Sequence, residues 1–272
     1  MSRLAACFDR LRAEGRCGLI PYITAGDPHP DLSVTLMHAL VDAGADVFEL
    51  GVPFSDPMAE GPVIQAACER ALAHGTSMRD VLATVSAFRC DDDTTPVVLM
   101  GYFNPIEAMG LEAFAADAAA AGVDAVLVVD LPAEEASDVA PVLRAAGLDC
   151  ILLVAPTTAE LRLPAVCAHA SGFLYYVSLK GVTGAQSLDV SGLDRRLTTL
   201  RAHSDLPVAV GFGIRTPEAA AAVAQVADAV VVGSALVARI ADIGADRERL
   251  VAEVPDLLRA MRQAMDTKKE SA

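Results

Sequence analysis

The sequence predicts a (β/α)8 TIM barrel, an α/β fold in which eight parallel strands alternate with helices around a common core. Three observations carry this expectation. Short apolar, β-branched-rich runs recur eight times, at 17–23, 46–50, 96–100, 125–129, 150–154, 173–177, 207–210 and 228–232. Between them lie Ala-rich stretches of helical periodicity, such as Leu32, Leu36, Ala39 and Leu40, or Val139, Val142, Leu143 and Ala146. The strands are apolar on both faces, as parallel strands covered by helices must be, and eight such units are the number that closes a barrel. An open doubly wound sheet is the competing arrangement. No composition break divides the 272 residues and no G-x-G-x-x-G follows the first strand, so one barrel domain over 1–272 is expected.

Taken in order, the elements each have a sequence-level reason. Ahead of the first strand, Leu4, Phe8 and Leu11 line one side of a short helix suited to capping the N-terminal, stability face of the barrel. After the second strand a Pro/Gly-rich loop leads into extra helical segments at 62–73 and 78–89. After Val177 a loop containing Gly181, Gly184 and Ser187 runs to about Ser191. Long loops that follow barrel strands lie on the face where such folds keep their chemistry. The seventh strand is followed by Gly211-Phe212-Gly213-Ile214 and the eighth by Gly233-Ser234-Ala235. These glycines let backbone amides approach an anion, and a helix opening near Ser234 aims its positive end there. Residues 266–272 read as a solvated tail.

Bulk properties narrow the function classes. A formal net charge of −15 opposes nucleic-acid and anionic membrane surfaces, so neither is an expected partner. The most apolar tract, 219–243, contains Gln225, Asp228, Arg239 and Asp242 and is unsuited to spanning a bilayer. Residues 1–15 alternate charged and apolar types without the continuous apolar stretch of an export signal, so a cytoplasmic protein is expected. Cys7, Cys17, Cys68, Cys90, Cys150 and Cys167 form no C-x-x-C pair and read as reduced core residues.

Glu49 is the informative polar residue. It interrupts an apolar strand near its C-terminal end, where a carboxylate loses hydration and its pKa rises unless it is paired. A raised pKa suits a general acid/base working near neutrality. A structural glutamate bonded to an arginine or a backbone amide would satisfy the same pattern.

The run from Glu49 to Gln65 belongs to a larger set of motifs. The set comprises Pro21-Tyr22-Ile23-Thr24-Ala25-Gly26-Asp27-Pro28, Gly101-Tyr102-Phe103-Asn104-Pro105, Asp130-Leu131-Pro132, Gly181-Val182-Thr183-Gly184 and Gly211-Phe212-Gly213-Ile214. In this order, over nearly the whole chain, it resembles the tryptophan synthase alpha family. The resemblance implies a carbon–carbon lyase that cleaves indole-3-glycerol phosphate into indole and glyceraldehyde 3-phosphate. By that resemblance Glu49 is the general acid/base, Glu60 binds the indole N–H, and Tyr175 shares their pocket. Tyr22, Met100, Leu127, Leu153 and Phe212 would line the indole slot. Gly184, Gly213, Gly233 and Ser234 would hold the glycerol phosphate, and Thr183 would close on Glu60. The family usually carries aspartate where this chain has Glu60, and commonly phenylalanine and a smaller residue where it has Tyr22 and Val129.

The resemblance implies no cofactor or metal in this chain, and a beta-subunit partner carrying pyridoxal phosphate in an α2β2 assembly. The loops 53–61 and 179–191 would close over substrate, the first also meeting the beta subunit. Lys180 lies in a loop rather than at a strand end where a Schiff-base lysine could be desolvated, and His29, His38, His74, His169 and His203 show no ligand pair. A free-standing indole-3-glycerol phosphate lyase and a non-catalytic phosphate-ligand barrel are the alternatives.

Overall fold

The computed structural model of the chain describes residues 2–177, 190–211 and 213–267. Eight strands, β1 (Gly18–Thr24), β2 (Phe48–Gly51), β3 (Val97–Gly101), β4 (Ala125–Val128), β5 (Asp149–Val154), β6 (Leu174–Val177), β7 (Val208–Gly211) and β8 (Ala229–Val232), close into a barrel in sequence order. Every pairing is parallel, including β8 back to β1. The helices in chain order are α1 (Arg3–Ala13), α2 (Ser33–Asp42), α3 (Pro62–Ala73), α4 (Met78–Phe88), α5 (Phe103–Met109), α6 (Leu111–Ala121), α7 (Ala136–Ala145), α8 (Leu163–His169), α9 (Val190–Arg201), α10 (Pro217–Val223), α11 (Ser234–Ile243) and α12 (Arg247–Thr267). The extra helices expected after the second strand are α3 and α4. Ser77 and Asp80 form a reciprocal capping box that starts α4, and Gly122 in the left-handed conformation ends α6.

Strand alternation sorts side chains into two cores. Ile20, Val98, Leu127, Ile151, Tyr175, Ala209 and Val231 point into the barrel, while their neighbours Leu19, Leu99, Val126, Leu152, Val210 and Val230 pack outward against the helices. Helix α1 closes the bottom. Its Leu4, Phe8 and Leu11 join the inner core, with the Phe8 and Phe173 ring centroids 5.7 Å apart. One cysteine expectation needs correction: Cys90 is exposed in the turn after α4 and Cys167 is half-buried at the edge of the outer core, so that Cys7, Cys17, Cys68 and Cys150 are the buried cysteines.

A fourfold device ties the barrel at this stability face. The residue just ahead of an even strand accepts the first free amide of the odd strand before it. Asp46 Oδ2 accepts from Leu19 N (3.0 Å), Asp124 Oδ2 from Val97 N (2.8 Å), Ser171 Oγ from Cys150 N (2.9 Å) and Asp228 Oδ2 from Val208 N (2.9 Å). Each aspartate is also held by an arginine. Arg262 lies 3.2 Å from Asp46, Arg89 2.7 Å from Asp124 and Arg201 3.0 Å from Asp228. The Arg89–Asp124 pair is the best shielded pairing for Asp124, and removing one partner strands the other's charge and an amide. Asp124→Ala is expected to cost on the order of 3 kcal/mol of stability, read as a lowered urea midpoint; an unchanged midpoint would exclude this role.

Candidate active site

The inward stripe of β2 explains how a glutamate reaches the barrel mouth. Phe48 and Leu50 pack outward, so Glu49 between them must point inward, above Val47. It is 2 % exposed. Beyond β2 the chain makes tight turns, with Met58 N donating to Asp56 O (2.8 Å) and Glu60 N to Pro57 O (3.0 Å), before Pro62 opens α3. These turns fold Glu60 back over the mouth, where it is 9 % exposed.

Both carboxylates line one cavity of about 290 Å³, together with Tyr22, Met100, Tyr175, Gly213, Gly233 and Ser234. Its mouth is open because the next inward positions on two strands are glycines. A Cβ on Gly51 would overlap the Tyr22 hydroxyl, and one on Gly211 would overlap that of Tyr175. Each strand end therefore accommodates the phenol of a neighbouring strand, and the Tyr22 hydroxyl is fixed by Thr24 Oγ1 at 3.1 Å.

Electrostatics follow from the burial. Glu49 Oε1 and Glu60 Oε2 are buried and have no hydrogen-bond partner among the described residues. Burial, with a smaller contribution from the charge of Glu60, raises the Glu49 pKa to about 8; burial alone raises Glu60 to about 7. The Tyr22 and Tyr175 phenols lie well above their usual value, first through burial and then through the nearby carboxylates, so they remain protonated donors.

The raised carboxyl pKa values make stability pH-dependent in a defined direction. The folded chain retains protons that the unfolded chain releases near 4.5, so this contribution is complete below about pH 4.5 and is lost as pH rises toward about 8. Glu49→Gln removes one such proton. Its melting temperature should match the parent below about pH 4.5 and exceed it increasingly up to about pH 8, the underlying stability difference growing by as much as about 1.4 kcal/mol per pH unit. Parallel melting curves across that range would contradict the buried, unpaired state of Glu49.

Gly213, with φ +80°, and the start of α11 at Gly233 and Ser234 form another part of the cavity wall. Backbone amides and a helix N-terminus there suit an anion. Of the predicted residues, Tyr22, Glu49, Glu60, Met100, Tyr175, Gly213, Gly233 and Ser234 are brought together around the cavity. Leu127 and Leu153 are not on its wall. Leu127 is fully buried in the inner core in register with Met100, and the half-buried Leu153 packs against that core in register with Tyr175. Thr183, Gly184 and Phe212 lie outside the described residues, as does most of the loop 179–191.

The cavity also includes residues that sequence reasoning missed. Val63 and Ile64 of α3 contact the slot, and Ile214 and Arg215 continue the glycine turn after β7. Arg215 is the sole cation among the described residues lining the cavity. A cation directly following Gly-Phe-Gly-Ile in a strongly acidic chain was the available signal.

A closed parallel barrel with two desolvated carboxylates and an anion-suited wall in one cavity defines an acid/base barrel enzyme acting on a small apolar, anionic substrate. The family model for the tryptophan synthase alpha chain matches residues 8–266. The tryptophan synthase alpha chain of Thioalkalivibrio sulfidiphilus is 62 % identical over 266 residues, covering 98 % of this chain and all of that one. That of Alkalilimnicola ehrlichii is 61 % identical, covering 98 % and 97 %. Among solved structures, the alpha chain of Legionella pneumophila superposes with a TM-score of 0.90 at 49 % identity, covering 98 % of both chains. Tryptophan synthase of Mycobacterium tuberculosis in an aminoacrylate-bound form gives 0.86 at 37 %, covering 97 % and 100 %. The chain belongs to the tryptophan synthase alpha chain family, and is thus a lyase of tryptophan biosynthesis that cleaves indole-3-glycerol phosphate to indole and glyceraldehyde 3-phosphate.

Proposed function

We propose that Glu49 and Glu60 divide this cleavage between them, with Tyr175 as a neutral donor beside both. The observation that supports the division is a pair of buried carboxylate oxygens, unpartnered among the described residues, lining one small cavity. Breaking the bond between indole C3 and the glycerol carbon needs a proton delivered to C3 and a proton removed from the adjacent side-chain hydroxyl. Glu49 performs both transfers. As C3 is protonated, positive charge develops on the ring nitrogen, and Glu60 accepts its N–H and stabilises that charge. The hydroxyl oxygen becomes the aldehyde of glyceraldehyde 3-phosphate, and the electrons of the broken bond return to the ring as indole. The sum is one substrate in and two products out, with no net proton.

Tyr22, Met100, Val63 and Ile64 hold the indole. Gly213, Gly233 and Ser234 hold the phosphate, with Arg215 contributing positive charge; Gly184, Thr183 and Phe212 keep the roles the family resemblance assigns them. Leu127 and Leu153, in register with Met100 and Tyr175, back the slot from the neighbouring strands. The first test is to incubate the purified chain with indole-3-glycerol phosphate and measure indole. No indole, alone or with a beta chain, would refute the assignment.

The chain works in the cytoplasm as the partner of a tryptophan synthase beta chain, in an α2β2 assembly, and the pyridoxal phosphate belongs to the beta chain. Loop 53–61 supplies part of the docking surface, with Met58 85 % exposed at its outer turn. Indole is apolar and would diffuse away, so delivery into an adjoining site is the physical benefit of docking. Titration with a beta chain should form a complex on size exclusion and raise the cleavage rate. No complex and no change in rate would favour a free-standing lyase.

A further inference from the structure

Glu60 is the weakest-anchored member of the site on first inspection, since it sits in a loop rather than on a strand. Yet the backbone on both sides of its Cα is bonded to side chains of other elements. On the N-terminal side, the Ala59 amide donates to Tyr102 Oη at 2.9 Å. On the C-terminal side, Gln65 Nε2 donates to Glu60 O at 2.9 Å and reaches Pro57 O at 3.4 Å. The loop is fastened again further back. The Phe54 ring stacks on the Tyr102 ring with centroids 5.0 Å apart.

Tyr102 and Gln65 come from opposite sides of the loop, from the N-cap of α5 and the second turn of α3. Tyr102 is buried and Gln65 half-buried. Each bond fixes a backbone atom adjoining residue 60, so neither residue needs to touch substrate to set the direction of the Glu60 carboxylate. A misplacement of about 1 Å at such a group costs on the order of 10²-fold in rate, and a glutamate has one more rotatable bond than an aspartate through which to lose its aim.

We propose that Tyr102 and Gln65 are positioning residues that clamp the loop on either side of Glu60 and hold its carboxylate in the dry cavity. This rests on the role given to Glu60 above. The groups that feel the charge of Glu60 are Glu49 from β2, Tyr22 from β1, Tyr175 from β6, Tyr102 itself and Cys68 from α3, while Glu60 itself is shifted by burial. Tyr102→Phe leaves the ring stack and adds no charge, and Gln65→Leu removes both donated bonds.

The test is the titration of Glu60, followed by NMR in protein labelled with ¹³C at glutamate carboxyls and assigned with Glu60→Gln. In the parent Glu60 should titrate near 7. In Tyr102→Phe and in Gln65→Leu its midpoint should fall toward the ordinary carboxylate range as water reaches the loosened loop, while the melting temperature changes little. An unchanged midpoint in both variants overturns the proposal, whatever the chain catalyses. The second measurement is a double-mutant cycle on indole formation. Tyr102→Phe should lower kcat/KM about five- to tenfold, the worth of one aligned hydrogen bond, and should have little further effect in a Glu60→Ala background. An equal loss in both backgrounds would show that Tyr102 acts independently of Glu60, and also overturns it. Failure of the functional reading has a separate signature: the parent makes no indole while the titration still shifts.

Discussion

Glu49→Gln should bind indole-3-glycerol phosphate with nearly unchanged affinity and lose turnover by at least about 10²-fold, the usual contribution of one general acid/base group. The substitution keeps the shape of a side chain that is 2 % exposed in a small cavity, so neither packing nor the neighbouring Tyr22 and Tyr175 should shift. What it removes is the exchangeable proton. The carboxyl is placed to exchange that proton near neutrality because burial, reinforced by Glu60, raises its pKa to about 8. Substrate affinity from equilibrium titration and turnover from indole release separate the two properties. Turnover within a few-fold of the parent would remove Glu49 from the proton transfers.

Glu60 is expected to show the second largest effect, and two substitutions distinguish a carboxylate requirement from a length requirement. Glu60→Ala leaves the indole N–H without an acceptor in a dry site, and should lose on the order of 10²-fold in kcat/KM, as expected for a charge-stabilising group. Glu60→Asp keeps the carboxylate one methylene shorter. Because the turn at Pro57 and the bonds from Tyr102 and Gln65 set where the backbone of residue 60 lies, activity in Glu60→Asp should stay within about tenfold of the parent if the loop accommodates the shorter reach. Parent-like activity in Glu60→Ala would mean that another group receives the indole nitrogen.

Much of this site could be derived before any coordinates. Alternation along β2 requires Glu49 to point inward once Phe48 and Leu50 face the helices, and its place near the strand end puts it at the mouth. The glycines after β7 and β8 mark the anion-suited wall by the same local logic, since only a residue without Cβ leaves the backbone approachable there. The eight strands, the capping helix and the two helices after β2 were likewise legible, with strand ends displaced by no more than two residues. The exposure of Cys90 and the absence of Leu127 and Leu153 from the cavity wall were not. Periodicity tells which side of an element a residue takes, but not how far that side lies from solvent or from the cavity floor.

What the sequence by itself determined was therefore the barrel, the inward direction of Glu49 and the glycine-rich rim, each a consequence of short-range period or of the stereochemistry of one residue. The family resemblance supplied the role of Glu60, because its loop has no period to read. Only the tertiary structure decided that this carboxylate is buried: the turn at Pro57 folds the loop inward, and Tyr102 and Gln65, 42 and 5 positions away along the chain, hold it from two sides. Desolvation comes from atoms packed around a group, most of them remote in sequence, so the raised pKa values of both carboxyls and the fourfold aspartate and serine ties beneath the barrel exist only once the chain has closed.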